Sequence, residues 1–144
     1  MILVVDDCDA LRRYIGVVLR RLGYSVIEAA NGGAAAEVAQ RHTDPIDLLV
    51  MDLELPDAGG QDVAQQLIAT RPGLPVLYIS GYPREILGEE ALPPRTGFLQ
   101  KPFTRDALVA QVREALRKRE LVGSDTPQVG GIDGAAWNRR SGTR

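Results

Sequence analysis

Short apolar runs recur along the chain, and each stops at a polar residue or a turn signal. Ile2–Val5 and Leu48–Met51 end in acid, and Val76–Ile79 ends in a hydroxyl at Ser80. Runs of this length are too short for a helix face and read as strands buried on both sides. Ser25–Ala29 and Gly97–Leu99 complete a set of five predicted strands. The segments between them carry a helical period. Leu11, Ile15, Val18, Leu19 and Leu22 fall on one helix face, with Asp9 expected as its cap and Gly23 as its stop. Asn31-Gly32-Gly33 reads as a turn before a helix over Ala34–Arg41. Val63, Leu67 and Ile68 mark a third helix, closed by Arg71-Pro72-Gly73. Gly88, Pro93 and Pro94 leave room only for a short helix around Arg84–Leu92. Leu108, Val112, Ala115 and Leu116 mark a last helix, capped by Thr104. From about Val122 the period is lost, so residues 1–121 are expected to form one domain and 122–144 a flexible tail that includes Trp137.

Alternating strands and helices predict an α/β fold around an open parallel sheet. In such sheets the functional residues gather beyond the carboxyl ends of the strands. Composition narrows the function classes. The 144 residues are 44% hydrophobic, enough for a core, and the net charge of −2 supplies no basic face for nucleic acid. No apolar run approaches the roughly 20 residues of a membrane span. Met1 opens directly on a strand, without the basic lead-in of a signal peptide. The lone Cys8 excludes an internal disulfide. A cytoplasmic protein is the expectation.

Read at the strand ends, the chain offers Asp6-Asp7 after the first strand, Asp52 after the third, Ser80 after the fourth and Lys101 after the fifth. Two acids, one acid, one hydroxyl and one ammonium thus leave the same edge of the sheet. Asp6-Asp7, Asp52, Ser80 and Lys101-Pro102, in this order and spacing, resemble the receiver domain of two-component response regulators. Pro56 and Gly60 after Asp52, and Phe98 three residues before the lysine, extend the match, which covers about Ile2 to Arg119.

The resemblance implies a flavodoxin-like (βα)5 three-layer sandwich with strand order 2-1-3-4-5. That order sets the first and third strands side by side, so Asp6, Asp7 and Asp52 converge. Three close carboxylates repel one another, and a divalent cation relieves the conflict; an all-oxygen set suits Mg2+. By resemblance Asp7 and Asp52 supply carboxylate oxygens, Glu54 its backbone carbonyl, and Asp6 acts through a water. Asp52 would be the phosphoacceptor, with Lys101 supplying positive charge and Ser80 a hydrogen bond to the phosphoryl group. Ser80 and Phe98 would form the switch. Glu54 and Tyr82 would border the phosphate and tune its hydrolysis. The Lys101–Pro102 bond is expected in cis. The partner implied is a sensor histidine kinase or a histidine phosphotransfer protein. The only chemistry implied is self-catalysed phosphoryl transfer and autodephosphorylation, not turnover of a substrate.

Other readings stand beside this one. Asp6-Asp7-Cys8-Asp9 loosely resembles the Asp-x-Asp start of haloacid-dehalogenase-type phosphatases, although Asp52 would then lack a role. A flavin module would want a Ser/Thr/Gly loop after the first strand, where this chain has acids. Within the receiver reading, Tyr78-Ile79-Ser80-Gly81-Tyr82 and Phe98-Leu99-Gln100-Lys101-Pro102-Phe103 are similar to receivers of hybrid sensor kinases, so a free-standing regulator and a module of a hybrid kinase both remain open. The weak helix around Arg84–Leu92 favours a monomer. His42, the sole histidine, reads as a surface residue, and Cys8 as filler beside the acids.

Overall fold

A computed structural model describes residues 1–55, 59–84 and 96–125. Pro56, most of the short helix expected around Arg84–Leu92 with its bearing on oligomeric state, and the tail from residue 126 lie outside the described residues. The strands are β1 (Ile2–Val5), β2 (Val26–Ala29), β3 (Leu48–Asp52), β4 (Val76–Ser80) and β5 (Gly97–Gln100). The described helices are α1 (Asp9–Arg21), α2 (Gly32–Arg41), α3 (Gly60–Thr70) and α4 (Arg105–Asp125). All strand pairs are parallel, in the order β2-β1-β3-β4-β5.

The strand sequences are mostly apolar because each sheet face is covered by helices. Successive residues point to opposite faces. Ile2, Val4, Leu48, Val50, Leu77, Ile79 and Leu99 therefore pack with Ile15, Val18 and Leu19 of α1 and Leu108 and Val112 of α4. Leu3, Val5, Leu49, Met51, Val76 and Tyr78 pack on the other side with Ala35 of α2 and Val63, Ala64 and Leu67 of α3. The register Ile2↔Leu48 and Val4↔Val50 keeps like-facing residues adjacent. Because both faces are buried, a slip by one residue would have to repack both cores at once. Tyr78 is fully buried, and its hydroxyl finds no hydrogen-bond partner among the described residues.

Local chemistry sets the helix ends. Gly23 takes φ 99° after α1, a conformation that costs glycine nothing. Thr104 caps α4, its hydroxyl accepting from the Ala107 N–H at 3.1 Å. Three expectations are corrected. Asp9 is not the cap of α1: Cys8 holds that position without a side-chain bond, and Asp9 is already helical and paired with Arg12 at 2.8 Å. Gly32 and Gly33 belong to the helix rather than to a turn before it, and Asn31 is its N-cap. Its side chain accepts from the Ala34 N–H at 2.8 Å, so α2 begins at Gly32. The last helix runs to Asp125, past the point where apolar spacing fades.

Gly60 opens α3 hard against the end of β3. A Cβ there would lie 2.2 Å from the Asp52 carbonyl oxygen and 2.8 Å from Leu53 Cα. Only a glycine lets the helix start so near the acid that β3 presents. Among the described residues no helix is long and apolar enough to cross a membrane.

Candidate metal centre

β1 and β3 are neighbours, and both end at the same edge of the sheet. One carboxylate oxygen from each of Asp6, Asp7 and Asp52 lies within 4.8 Å of the others. Asp6 and Asp52 are buried, 1% and 2% exposed, while Asp7 faces solvent.

Backbone N–H groups hold one oxygen of each buried acid. Asp6 Oδ1 accepts from the Cys8 N–H at 2.9 Å, and Asp52 Oδ1 from the Glu54 N–H at 3.0 Å. The second oxygens turn toward Lys101. Its Nζ lies 3.4 Å from Asp52 Oδ2 and 3.7 Å from Asp6 Oδ2. At those distances the ammonium attracts both acids without satisfying either as a short hydrogen bond would. Asp6 Oδ2 is buried and has no hydrogen-bond partner among the described residues. An orphaned buried carboxylate oxygen beside two more acids is a donor set that fits a hard divalent cation.

The electrostatics record the same crowding. Burial pushes the Asp52 carboxyl up, and Asp6 and Glu54 push it further; the Glu54 N–H and Lys101 pull it back, and the balance is about 6. Burial draws the Lys101 ammonium down, but Asp6 and Asp52 outweigh it, so its pKa rises. Lys101 is therefore a fixed cation at neutral pH. It reaches the acids from the loop after β5, where the Lys101–Pro102 peptide is cis.

Ser80, at the end of β4, is fully buried. Its hydroxyl donates to Glu54 Oε2 at 2.6 Å and accepts from the Tyr82 N–H at 3.0 Å. Glu54 Oε1 accepts from the Gly81 N–H at 3.0 Å. The Glu54 carboxylate thus lies across the end of β4 and takes two donors there. Tyr82 is more than half exposed at the rim. Phe98 is half-buried on β5, opposite Tyr78, and packs against the core on the α2 and α3 side.

The sequence expectations thus meet at one edge: Asp6, Asp7, Asp52 and Lys101 in one cluster, Ser80 beside it through Glu54. Sequence reasoning missed Arg12. The Arg12 guanidinium is buried behind the acids and donates to the Asp6 carbonyl oxygen at 2.9 Å. An arginine one place after a core leucine reads as a surface residue; only the pairing of Val4 with Glu28 across β1 and β2 brings its partner acid to the same face.

With that geometry in view, comparison with known proteins is decisive. Residues 2–113 match the family model of the response regulator receiver domain. The chain belongs to that family. This receiver domain is 33% identical over 121 residues to the sensor kinase CckA of Brucella abortus, covering 83% of the chain but only 13% of the kinase. It is 30% identical over 116 residues to the response regulator receiver protein CpdR of the same organism, covering 80% of the chain and 95% of that protein. A CheY-like receiver domain crystal structure from Methanospirillum hungatei superposes with a TM-score of 0.73 at 25% identity, covering 85% of this chain and 97% of the other. The receiver domain is a module of two-component signalling, and its phosphoacceptor role fits the acidic edge described here. The phosphatase and flavin readings fall with that match.

Proposed function

We propose that Asp52 is the phosphoacceptor of this receiver domain, and that Asp6, Asp7 and Asp52, with the backbone carbonyl of Glu54, hold Mg2+. The observation that carries this reading is a buried carboxylate set between a second buried acid and a lysine, with three acid oxygens within 4.8 Å. When bound, Mg2+ would supply positive charge to offset the three carboxylates and the phosphoryl oxygens.

The chain's own groups do the rest. A carboxylate oxygen of Asp52 attacks phosphorus in line, the phosphorus–nitrogen bond of a phosphohistidine breaks, and the imidazole leaves with the bond's electron pair. The Glu54 N–H keeps Asp52 Oδ1 fixed, so the carboxylate cannot rotate away. Lys101 meets the developing charge on the phosphoryl oxygens. Ser80 donates to one of those oxygens once Glu54 releases its hydroxyl. A dianion on Asp52 repels the Glu54 carboxylate, so the exchange is driven by charge as well as by the new hydrogen bond. Movement of Ser80 opens space beside β4 into which the Phe98 ring turns, and that turn is the signal. Glu54 and Tyr82 flank the path of the hydrolytic water and set the lifetime of the phosphoryl group.

The donor is a histidine kinase or a histidine phosphotransfer protein; the domain itself turns over no substrate beyond its own phosphoryl group. Residues 1–121 form the switch unit. The chemistry is the same whether the module stands alone or sits within a longer kinase, and the relatives include both a short receiver protein, CpdR, and a long kinase, CckA.

The test is intact mass after incubation with Mg2+ and acetyl phosphate. One alkali-labile phosphoryl adduct is expected on the wild type and none on Asp52→Asn. An adduct of equal yield on the variant would place the acceptor elsewhere.

A further inference from the structure

Arg12 is the most deeply buried cationic side chain outside the acid cluster among the described residues, 9% exposed, and the phosphoryl chemistry does not use it. Its guanidinium touches three elements. Nη1 donates to the Asp6 carbonyl oxygen at 2.9 Å, Nη2 pairs with Asp9 Oδ1 at 2.8 Å, and Nε faces Glu28 Oε1 at 3.4 Å. Glu28 is itself held from the other side, its Oε2 lying 3.1 Å from Arg20 Nη1, and Arg20 Nη2 donates to the Val26 carbonyl oxygen at 3.2 Å. Gly16 leaves room for this arrangement, since a Cβ there would lie 2.9 Å from Glu28 Oε2.

The Asp6 carbonyl lies at the peptide joining Asp6 to Asp7. Fixing that oxygen from behind fixes the peptide plane from which both acids project. The Cys8 N–H fixes the Asp6 side chain from the front. Between them, the two contacts leave Asp6 Oδ2 facing Lys101 at 3.7 Å and without a hydrogen bond among the described residues.

We infer that Arg12 is a positioning residue for the metal centre: by clamping the Asp6 carbonyl to Asp9 and Glu28 it sets the Asp6-Asp7 pair at cation-binding geometry. This rests on the Mg2+ site proposed above. Groups that orient metal ligands are commonly worth about 10- to 100-fold in affinity.

The direction of the effect separates this role from simple electrostatics. Arg12 is a positive charge behind an acidic site, so its charge alone opposes a cation, and Arg12→Met should then tighten Mg2+. The clamp requires the opposite, a loss of at least about 10-fold in Mg2+ affinity. Arg12→Lys keeps the charge but not the planar fork that reaches three acceptors, and it should lose affinity in the same direction. The experiment is calorimetric titration of each variant with Mg2+ alone, at a temperature where circular dichroism shows it folded. Weaker binding in both variants supports the clamp; if Arg12→Met does not fold, Arg12→Lys decides alone. Unchanged or tighter binding in the folded variants overturns it. Absence of Mg2+ binding by the wild type would instead overturn the metal site itself, so the two failures are distinct.

Discussion

Asp52→Asn should be more stable than the wild type in metal-free buffer at neutral pH, by about 2–3 kcal/mol, while losing the ability to take a phosphoryl group. The acid is 2% exposed, and burial first, then Asp6 and Glu54, push its pKa from 3.8 to about 6. Each pKa unit is about 1.4 kcal/mol, so holding Asp52 charged in the fold costs on the order of 3 kcal/mol. Asparagine keeps an oxygen to accept the Glu54 N–H and removes the charge. Lys101 loses one acid but keeps Asp6 at 3.7 Å. The site therefore sacrifices stability for function at one residue. Urea denaturation of both proteins in chelator at pH 7.5 measures the difference; a variant less stable than the wild type would mean that Lys101 already compensates the buried charge.

The second large effect couples protons and metal. In metal-free buffer Asp52 should cost the wild type about 3 kcal/mol in all as pH rises from about 3 to about 7, with about 2 kcal/mol of it falling between about pH 4 and about pH 6. The sign follows from proton counts. Within that window the folded protein keeps a proton on Asp52 that the unfolded chain, with an ordinary carboxyl, has released. The folded state binds more protons, so raising the pH favours unfolding until Asp52 ionises in both states. Mg2+ acts against this slope because it requires the ionised carboxylate. At a hundredfold excess over its dissociation constant it should add about 2.7 kcal/mol near pH 7.5, and much less near pH 5, where the proton competes. Thermal melts with and without Mg2+ at the two pH values check it. An equal Mg2+ shift at both, or none at either, would contradict the linkage. Asp52→Asn should flatten the slope and lose most of the Mg2+ gain.

Both effects arise at residues legible in the sequence, and the reason is physical. Strand-sized apolar runs fix where β1, β3 and β4 end, and a parallel sheet puts those ends on one edge. Asp6, Asp7, Asp52 and Ser80 then had no freedom to be elsewhere. The core was legible for the same reason: Ile15, Val18 and Leu19 repeat at the helical period, and strand residues alternate faces. What escaped depended on side-chain reach rather than on period. Asp9 was expected to cap α1, but the buried Arg12 draws it into an ion pair. Glu54 was expected to border the phosphate, but its carboxylate bonds to Ser80 and Gly81 were not legible, because that contact crosses from the loop after β3 to the end of β4. Arg12 escaped because its partners come from the loop after β1, from α1 and from β2 at once. Spacing along one element cannot reveal a contact that three elements share.

The central claim is that Asp6, Asp7 and Asp52 share one cation beside Lys101. The most direct measurement is a crystal structure of the wild type grown with Mn2+, whose preference for carboxylate and carbonyl oxygen matches that of Mg2+ and whose anomalous scattering locates it. One anomalous peak is expected among the three carboxylates, coordinated by Asp7, Asp52 and the Glu54 carbonyl. A map with no peak there, or with the three side chains turned to separate surfaces, would contradict it.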